Sequence, residues 1–389
     1  MRTKSQPSQV RLLLFLAFLP VNVSFCQQIP KAAKHFQAGL ELEKAHKYHE
    51  AAVEFSQAIQ INPEFSAAYY HLGFNALQDG DSEGAIRALM QLTQLEPNNN
   101  QARKALGQIY YGLGYYNDAL ALYFRAQQQS PDDPEIYFYI GLISFQQKAY
   151  SQATQALRHA ILLSPPMIKA RELLASVYEA QNDLPSAYKE LREAAEIAPQ
   201  SPGPPSDLGM LCLKEAKLTD AEEQFLHALS LQKDFVPARM GLAKTYRLMD
   251  RLPESLEQLS AVLKEEPEDP SALLERGTVE NMLGKKADAR ADFEHFSQAA
   301  PDRAEGELFL GKLDSDAGQY NSAIPHLQKA IALDANQADA YFYLGQADYR
   351  LGKSEEAKEA LQHCLSLDPV NKAASQLLEQ ALKASPQAR

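Results

Sequence analysis

The sequence predicts an all-α solenoid of ten tandem helix-turn-helix units, with one capping helix at the C-terminal end. Two observations carry this prediction. Prolines recur at intervals of 34 residues, and each 34-residue unit places a small residue at the same two positions. The prolines in this phase are Pro63, Pro97, Pro131, Pro165, Pro199, Pro267, Pro301 and Pro369. If the first unit begins at Ala32, ten units fill residues 32–371 without an insertion.

The small residues mark the points at which the two helices of one unit would cross. Position 8 is Gly or Ala in all ten units, position 20 is Ala or Ser, and position 24 is aromatic or Leu. Positions 4, 7, 8 and 11 share one face of a first helix, and positions 20, 24 and 27 share one face of a second. Proline at position 32 cannot continue the second helix. Because a single helix pair cannot bury its apolar face, neighbouring units must stack to share a core.

This pattern resembles the tetratricopeptide repeat (TPR) family over residues 32–371. The resemblance implies a right-handed superhelix of helix pairs, with a concave groove lined by the first helices. The chain departs from the family pattern where Arg276 stands at position 7 and where Glu280, Asp314 and Asp348 stand at position 11. Since these charges interrupt the packing face, we expect looser packing in repeats 8 to 10.

Two segments interrupt or end the array. Residues 199–206 contain four prolines, so we expect the first helix of repeat 6 to begin only near Ser206 and Asp207. This segment forms either a hinge or a shortened helix. Residues 372–389 are expected to form a capping helix, with one apolar stripe and a polar back, followed by a frayed tail.

The N-terminal 26 residues have the pattern of a secretory signal peptide. Arg2, Lys4 and Arg11 precede an apolar run at residues 12–19, and small residues lead to a polar start after Cys26. The apolar run is too short to span a bilayer. We therefore expect export, with cleavage after Cys26 and a mature protein that is periplasmic or secreted and has no membrane span. The alternative is a lipoprotein with its lipid anchor on Cys26, which the large Phe25 disfavours.

Composition limits the classes of partner and chemistry. The formal net charge is −12, which disfavours nucleic acid as a partner. The three cysteines lie far apart, so we expect no disulfide, and we expect Cys212 and Cys364 to be core residues. The sequence lacks a Gly-rich phosphate loop, a His-Glu-x-x-His motif and a Gly-x-Ser-x-Gly motif. We therefore expect no catalytic residue, no cofactor and no metal site.

A second face of the first helices predicts where partners bind. Positions 2, 5, 9, 12 and 13, the inner face, lie about 140° from the packing face, so the core does not require them to be apolar. Aromatic residues there favour a groove for partner proteins. The predicted groove residues are Phe36, Tyr70, Phe74, Tyr111, Phe138 and Phe145, with Phe342 and Tyr349 as a secondary groove in repeat 10. The alternative is that these rings fill contacts between neighbouring first helices.

These features favour an exported scaffold or adaptor that binds peptide segments or helices of partner proteins in its groove. The alternative is an accessory component of an envelope secretion or polysaccharide-export complex. An enzyme is a remote alternative, because the repeats leave no separate domain to hold an active site.

Overall fold

The computed structural model describes residues 23–384, whose secondary structure consists of 21 α-helices with no strand. The first helices of repeats 1 to 10 are α1 (Val23–Lys44), α3 (Ser66–Gln78), α5 (Asn100–Gly112), α7 (Pro134–Gln146), α9 (Ile168–Ala180), α11 (Gly203–Lys214), α13 (Val236–Leu248), α15 (Pro270–Met282), α17 (Glu305–Asp316) and α19 (Ala338–Arg350). The second helices are α2 (Tyr48–Ile61), α4 (Ser82–Leu95), α6 (Tyr116–Gln129), α8 (Tyr150–Leu163), α10 (Leu184–Ile197), α12 (Leu218–Leu231), α14 (Leu252–Glu265), α16 (Lys286–Ala299), α18 (Tyr320–Leu333) and α20 (Ser354–Leu367). Helix α21 (Lys372–Ala384) follows them. The predicted fold class of ten helix pairs and a final helix is confirmed.

The crossing within each pair depends on the small residue at position 8. A Cβ atom added to Gly141 would lie 2.6 Å from Cγ of Leu157, and one added to Gly277 would lie 2.7 Å from Cε1 of Phe293. Both partners stand at position 24 of the same repeat and are fully buried. The glycine therefore makes room for the large side chain that anchors the second helix.

The turn between the two helices of each repeat passes through a left-handed residue at position 15. Glycine occupies five of these turns, with φ between 72° and 84°. The other five turns have φ between 56° and 60°, at His46, Lys148, Asn182, Ala216 and Asp250. A left-handed conformation costs a side chain such as that of Ala216 about 1 kcal/mol or more. The helices on either side therefore impose this turn on whatever residue stands there.

The chain divides into two compact units, Met1–Val177 and Tyr178–Arg389, so that the division falls inside α9. The cores of the N-terminal unit are built mainly from aliphatic and aromatic side chains. In repeat 3, for example, buried Leu106 at position 7 belongs to a cluster against which Leu122 at position 23 packs. A hinge at residues 199–206 stays a prediction.

Helix α11 begins earlier than the sequence predicted. It starts at Gly203 and carries Pro204 and Pro205 in its first turn, so the predicted start near Ser206 and Asp207 is wrong. The first N–H groups of a helix have no partner within it, so prolines placed there lose no hydrogen bond, and their fixed φ suits a helix. At 12 residues, α11 is one residue shorter than α13.

The C-terminal unit encloses charged groups within its core. Arg276 donates two hydrogen bonds to Asp292, at 2.7 and 2.6 Å, and Asp292 is 5% exposed. The three carboxylates at position 11, those of Glu280, Asp314 and Asp348, are also buried. Arg290 pairs with Asp314 across the boundary between repeats 8 and 9. Helix pairing encloses these groups, and ion pairs compensate part of their charge. Looser packing in repeats 8 to 10 stays a prediction.

Helix α21 closes the C-terminal end as predicted. Ala374 and Ala381 are fully buried, and Ala374 joins a core cluster with Leu361 and Cys364 of α20. Cys212 and Cys364 are buried free thiols, which confirms their prediction as core residues.

Helix α1 begins at Val23, inside the predicted signal peptide. Residues 1–22 and 385–389 lie outside the described residues, so the signal peptide, its cleavage after Cys26 and the alternative lipid anchor stay predictions. Among the helices of residues 23–384, none combines the length and apolar character that crossing a bilayer would require.

Candidate protein-binding groove

An apolar groove opens on the inner face of the N-terminal unit, between α3 and α5. Its volume is about 490 Å³, which is within the usual range for ligand-binding clefts. Phe74, Leu77 and Leu113 are 42%, 40% and 44% exposed, respectively. The lining residues are Tyr70, Gly73, Phe74, Leu77, Gln78, Ser82, Leu89, Ala105, Gln108, Ile109, Gly112 and Leu113. Large apolar side chains gathered at one exposed site are typical of an interaction surface.

The shape of this groove follows from a difference in side-chain size between the two helices. Helix α3 presents Phe74 at position 9 and Leu77 at position 12, whereas α5 presents Ala105 and Gly112 opposite them. A Cβ atom added to Gly112 would meet no atom within 4 Å, so the space above this residue is open. The large side chains of one helix and the small residues of the next therefore leave a depression.

A polar cavity of about 480 Å³ continues the groove toward α7 and shares Tyr70, Ala105 and Gln108 with the apolar part. Lys104 at its centre contacts two carboxylates, with Nζ 3.0 Å from Oδ2 of Asp133 and in a shorter contact with Glu135. Burial opposes charging of the Lys104 ammonium, but hydrogen bonds to the two carboxylates outweigh it, so the pKa of Lys104 is raised. The Lys104 side chain is therefore a stable cation held between two anions.

Neutral hydrogen bonds join successive first helices beside this cluster. Gln101 donates to the hydroxyl oxygen of Tyr70 at 3.0 Å, and Gln108 donates to that of Tyr139 at 2.9 Å. Burial, aided by the nearby carboxylate of Glu135, raises the pKa of Tyr139, so this phenol stays protonated at neutral pH. These bonds fix the orientation of the side chains at the groove wall.

The structure brings two of the predicted groove residues, Tyr70 and Phe74, into one groove. Phe36 instead lies in an aromatic cluster, with its ring centroid 4.7 Å from that of Phe65 and 5.5 Å from that of His71. Phe36 therefore fits the alternative interpretation, in which the aromatic rings fill contacts between helices.

The remaining predicted residues are half-buried and lie outside this groove. Tyr111 packs against the core cluster of α6 and α7. The rings of Phe138 and Phe145 contact those of Tyr139 and Tyr150, respectively, and Phe138 is 5.3 Å from its neighbour. The assignment of these residues to partner binding stays a prediction.

The predicted secondary groove lies beside the capping helix. Phe342 packs against the cluster formed by Leu361, Cys364 and Ala374, and Tyr349 is half-buried. A role for these two residues in partner binding also stays a prediction.

The inner face of the C-terminal unit has a different chemistry. Its cations connect successive first helices through ion pairs, namely Lys214–Glu179 at 3.2 Å, Arg247–Glu275 at 3.0 Å and Lys312–Asp339 at 2.7 Å. The same face also carries exposed apolar side chains at Met210, Leu248 and Met282. The sequence pattern did not single out these three residues, although they stand at positions 9 and 13 of the inner face.

The sequence pattern also missed two lining residues of the main groove, Leu77 of α3 and Leu113 at the end of α5. Leu77 stands at position 12, so its place on the inner face could have been read from the periodicity. Leu113 stands at position 14, just after the last residue of α5, where helical periodicity no longer predicts which way a side chain points. The open space above Gly112 depends on the neighbouring helix and has no local signal.

Comparisons with known proteins match these repeats in several places. Family models described as tetratricopeptide repeat match residues 42–109, 76–138, 240–304 and 338–369. A further model described as TPR repeat matches residues 311–352.

Similar proteins include the protein CTR9 homolog of Arabidopsis thaliana, 24% identical over 77% of this chain and 28% of that protein. The peroxisomal targeting signal receptor of Yarrowia lipolytica is 28% identical over 33% of this chain and 29% of the receptor. The chain thus spans less than a third of the length of either relative. The crystal structure of yeast Tom70 aligns with 90% of this chain and 88% of its own, at 14% identity and a TM-score of 0.48.

Proposed function

The chain belongs to the tetratricopeptide repeat family, and from that premise we propose that it is a protein-interaction scaffold whose N-terminal unit binds a segment of a partner protein. The binding site is the inner-face groove between α3 and α5. The segment inserts apolar side chains between Phe74, Leu77 and Leu113.

The exposure of these three side chains is the observation that carries the proposal. Each could bury much more apolar surface, at about 25 cal/mol per Å² removed from water. Aromatic and aliphatic anchors that fill a cleft usually dominate the affinity of such interfaces. The match to a receptor that reads a targeting signal supports a segment of a partner, rather than a small molecule, as the ligand.

The proposed scaffold acts outside the cytoplasm, in the periplasm or after secretion. The basic, apolar and small-residue order of residues 1–26 supports this part of the proposal. N-terminal sequencing of the protein purified from its source cell tests it. A mature chain beginning at Gln27 would support export, whereas an intact N-terminus on protein recovered from the cytoplasm would contradict it.

The binding proposal is tested by partner capture with a matched pair of triple variants. The groove variant carries Phe74→Ala, Leu77→Ala and Leu113→Ala. The control carries Met90→Ala, Phe124→Ala and Leu162→Ala, which removes exposed apolar side chains from second helices of the same unit. A partner that the native protein and the control retain, but the folded groove variant loses, would support the proposal.

Equal capture by both triple variants would contradict it. The same capture identifies the partner by mass spectrometry. Recovery of membrane channel or export components would favour the alternative role in an envelope secretion or polysaccharide-export complex. Turnover of a substrate by the purified protein would instead favour the remote enzymatic alternative.

A further inference from the structure

We propose that the groove selects a segment in which an apolar anchor and a basic side chain, preferably arginine, lie about four residues apart. This inference rests on the proposed function and specifies the chemistry of its ligand. It comes from the continuity of the apolar and polar parts of the groove and from the excess of negative charge in the polar part.

The two parts form one path along α5. Tyr70, Ala105 and Gln108 line both cavities, so a segment seated on Phe74 and Leu113 continues directly into the polar part. Lys104 and Leu113 are nine residues apart on α5, a distance of about 13 Å along the helix axis. An extended segment covers this distance in about four residues.

The polar part carries one more negative charge than positive charge. Lys104 is the one cation among the lining residues of this cavity, and Asp133 and Glu135 are its two anions. The Lys104 side chain is 19% exposed, whereas that of Glu135 is 42% exposed. The charge that a ligand meets first is therefore the carboxylate of Glu135.

The two carboxylates of the polar part differ in their structural role. Asp133 is held in place by a role in α7, so Glu135 is the carboxylate that can rearrange to pair with a ligand. Asp133 is the N-cap of α7 and accepts a hydrogen bond from the backbone N–H of Glu135 at 3.0 Å. Glu135 caps no helix. Its Oε2 pairs with Lys104, and its Oε1 accepts only a long hydrogen bond from Gln108, at 3.5 Å. A guanidinium group of the ligand can pair with this carboxylate through two hydrogen bonds, which favours arginine over lysine.

An acidic segment would meet the opposite situation. Its carboxylate would approach Glu135 before it could reach the less exposed Lys104. The two negative charges would repel each other. The polar part of the groove therefore disfavours acidic segments and favours basic ones.

The test is selection of a random 12-residue peptide library, displayed on phage, against the full-length protein. The wild type is compared with Glu135→Gln, which leaves Lys104 paired with Asp133 and removes the excess charge. Lys104→Gln increases the excess charge. Asp118→Asn is the control, because it removes an exposed carboxylate of α6 in the same unit, outside both cavities. Circular dichroism verifies that each variant is folded.

We expect the wild type and Asp118→Asn to enrich peptides with an aromatic residue or Leu and a basic residue about four positions away. Glu135→Gln should keep the apolar preference and lose the basic one, and Lys104→Gln should strengthen the basic one. For a selected peptide, Glu135→Gln should weaken binding about two- to fivefold, the usual range for a partly exposed charge pair.

Three outcomes would overturn the inference. Apolar peptides enriched without regard to charge, or with an acidic preference, would leave the proposed function standing and reject the basic specificity. Equal enrichment of basic peptides on all variants would mean that the net charge of the whole chain attracts them. No enrichment on the folded wild type would reject the proposed function itself.

Discussion

The two units use the same 34-residue geometry with opposite side-chain chemistry. At positions 7 and 23, repeat 3 has Leu106 and Leu122, whereas repeat 8 has Arg276 and Asp292. The difference extends to the whole units, since residues 1–177 have a formal net charge of +1 and residues 178–389 one of −13. Small residues at the helix crossings, which both units share, therefore suffice to define the fold. The residues around the crossings are free to specialise.

This comparison predicts its largest effect at the ion pair of repeat 8. Arg276→Leu should destabilise the C-terminal unit by about 3–5 kcal/mol, because it leaves the buried carboxylate of Asp292 without a partner. The double variant Arg276→Leu, Asp292→Leu introduces the pair found in repeat 3 and should recover most of this loss. Urea unfolding, with hydrogen exchange in α15 and α16 to locate the change, measures both effects.

A double variant no more stable than the single one would show that the two units differ in backbone geometry at these positions. In that case an apolar pair could not replace an ionic pair at positions 7 and 23, and the two units would not share one geometry there.

The next effect concerns a buried carboxyl group without a matched cation. Burial, followed by the charge of Asp292, raises the pKa of Glu280 from 4.5 to about 7. Because the folded state binds this proton more tightly, the stabilisation is full below about pH 4.5 and is lost as the pH rises through about 7. Unfolding midpoints should fall between about pH 5 and 8.5 by the equivalent of about 1–3 kcal/mol. Glu280→Gln should remove most of this slope.

Glu307 is the matched contrast for Glu280, since it is also buried in the C-terminal unit. Burial would raise the pKa of Glu307, but contacts with His326 at 2.7 Å and Lys329 at 2.6 Å outweigh it and lower that pKa. Its stabilisation is therefore lost as the pH falls, and Glu307→Gln should destabilise the unit at neutral pH. The same sign for both variants would contradict this assignment of charge states.

The third prediction concerns a variant in which a residue of the N-terminal inner face is replaced by the residue found at the same position in the C-terminal unit. Position 13 is Gly112 in repeat 3 and Met282 in repeat 8. Gly112→Met should fill the apolar groove and weaken partner binding at least about tenfold, as expected when a central contact site is lost. Because the space above Gly112 is open, unfolding stability should change by about 0.5 kcal/mol or less. Unchanged affinity, measured by fluorescence anisotropy with a selected peptide, would place the binding site elsewhere.

The smallest expected effect compares two kinds of contact between neighbouring first helices, ion pairs in the C-terminal unit and neutral hydrogen bonds in the N-terminal unit. Arg247→Gln removes an ion pair of the C-terminal unit and should cost about 0.5 kcal/mol in low salt, with the loss fading near 1 M salt. Tyr70→Phe removes a neutral hydrogen bond of the N-terminal unit and should cost about 0.5–1 kcal/mol at any salt concentration. Equal salt dependence of the two losses would remove this distinction between the units.

The sequence was sufficient to predict the helix pairs because the fold depends on periodic residues. Gly141 and Leu157 reveal their roles by spacing alone, because position 8 is small and position 24 is large in every repeat. The start of α11 was misjudged because prolines were treated as helix breakers without regard to their place in the first turn. The burial of Asp314 could not be predicted from its own repeat, because its partner, Arg290, comes from the preceding repeat.

The groove was only partly predictable, for a related reason. Phe74 and Tyr70 stand on a periodic face, whereas the depression between them and Leu113 depends on which side chain of the next helix is small. A pattern read along one helix reports what that helix presents. It does not report the volume that two helices leave between them.

The left-handed turn at position 15 has a consequence for the history of the chain. That turn forms with glycine, histidine, lysine, asparagine, alanine or aspartate at position 15. The turn therefore does not require a particular residue there to suit the neighbouring repeat. A DNA segment encoding one repeat could therefore be copied or deleted, and the resulting protein would still close its turns. Arrays of this type can change length in steps of whole repeats, and natural selection can then act on the inner faces one repeat at a time.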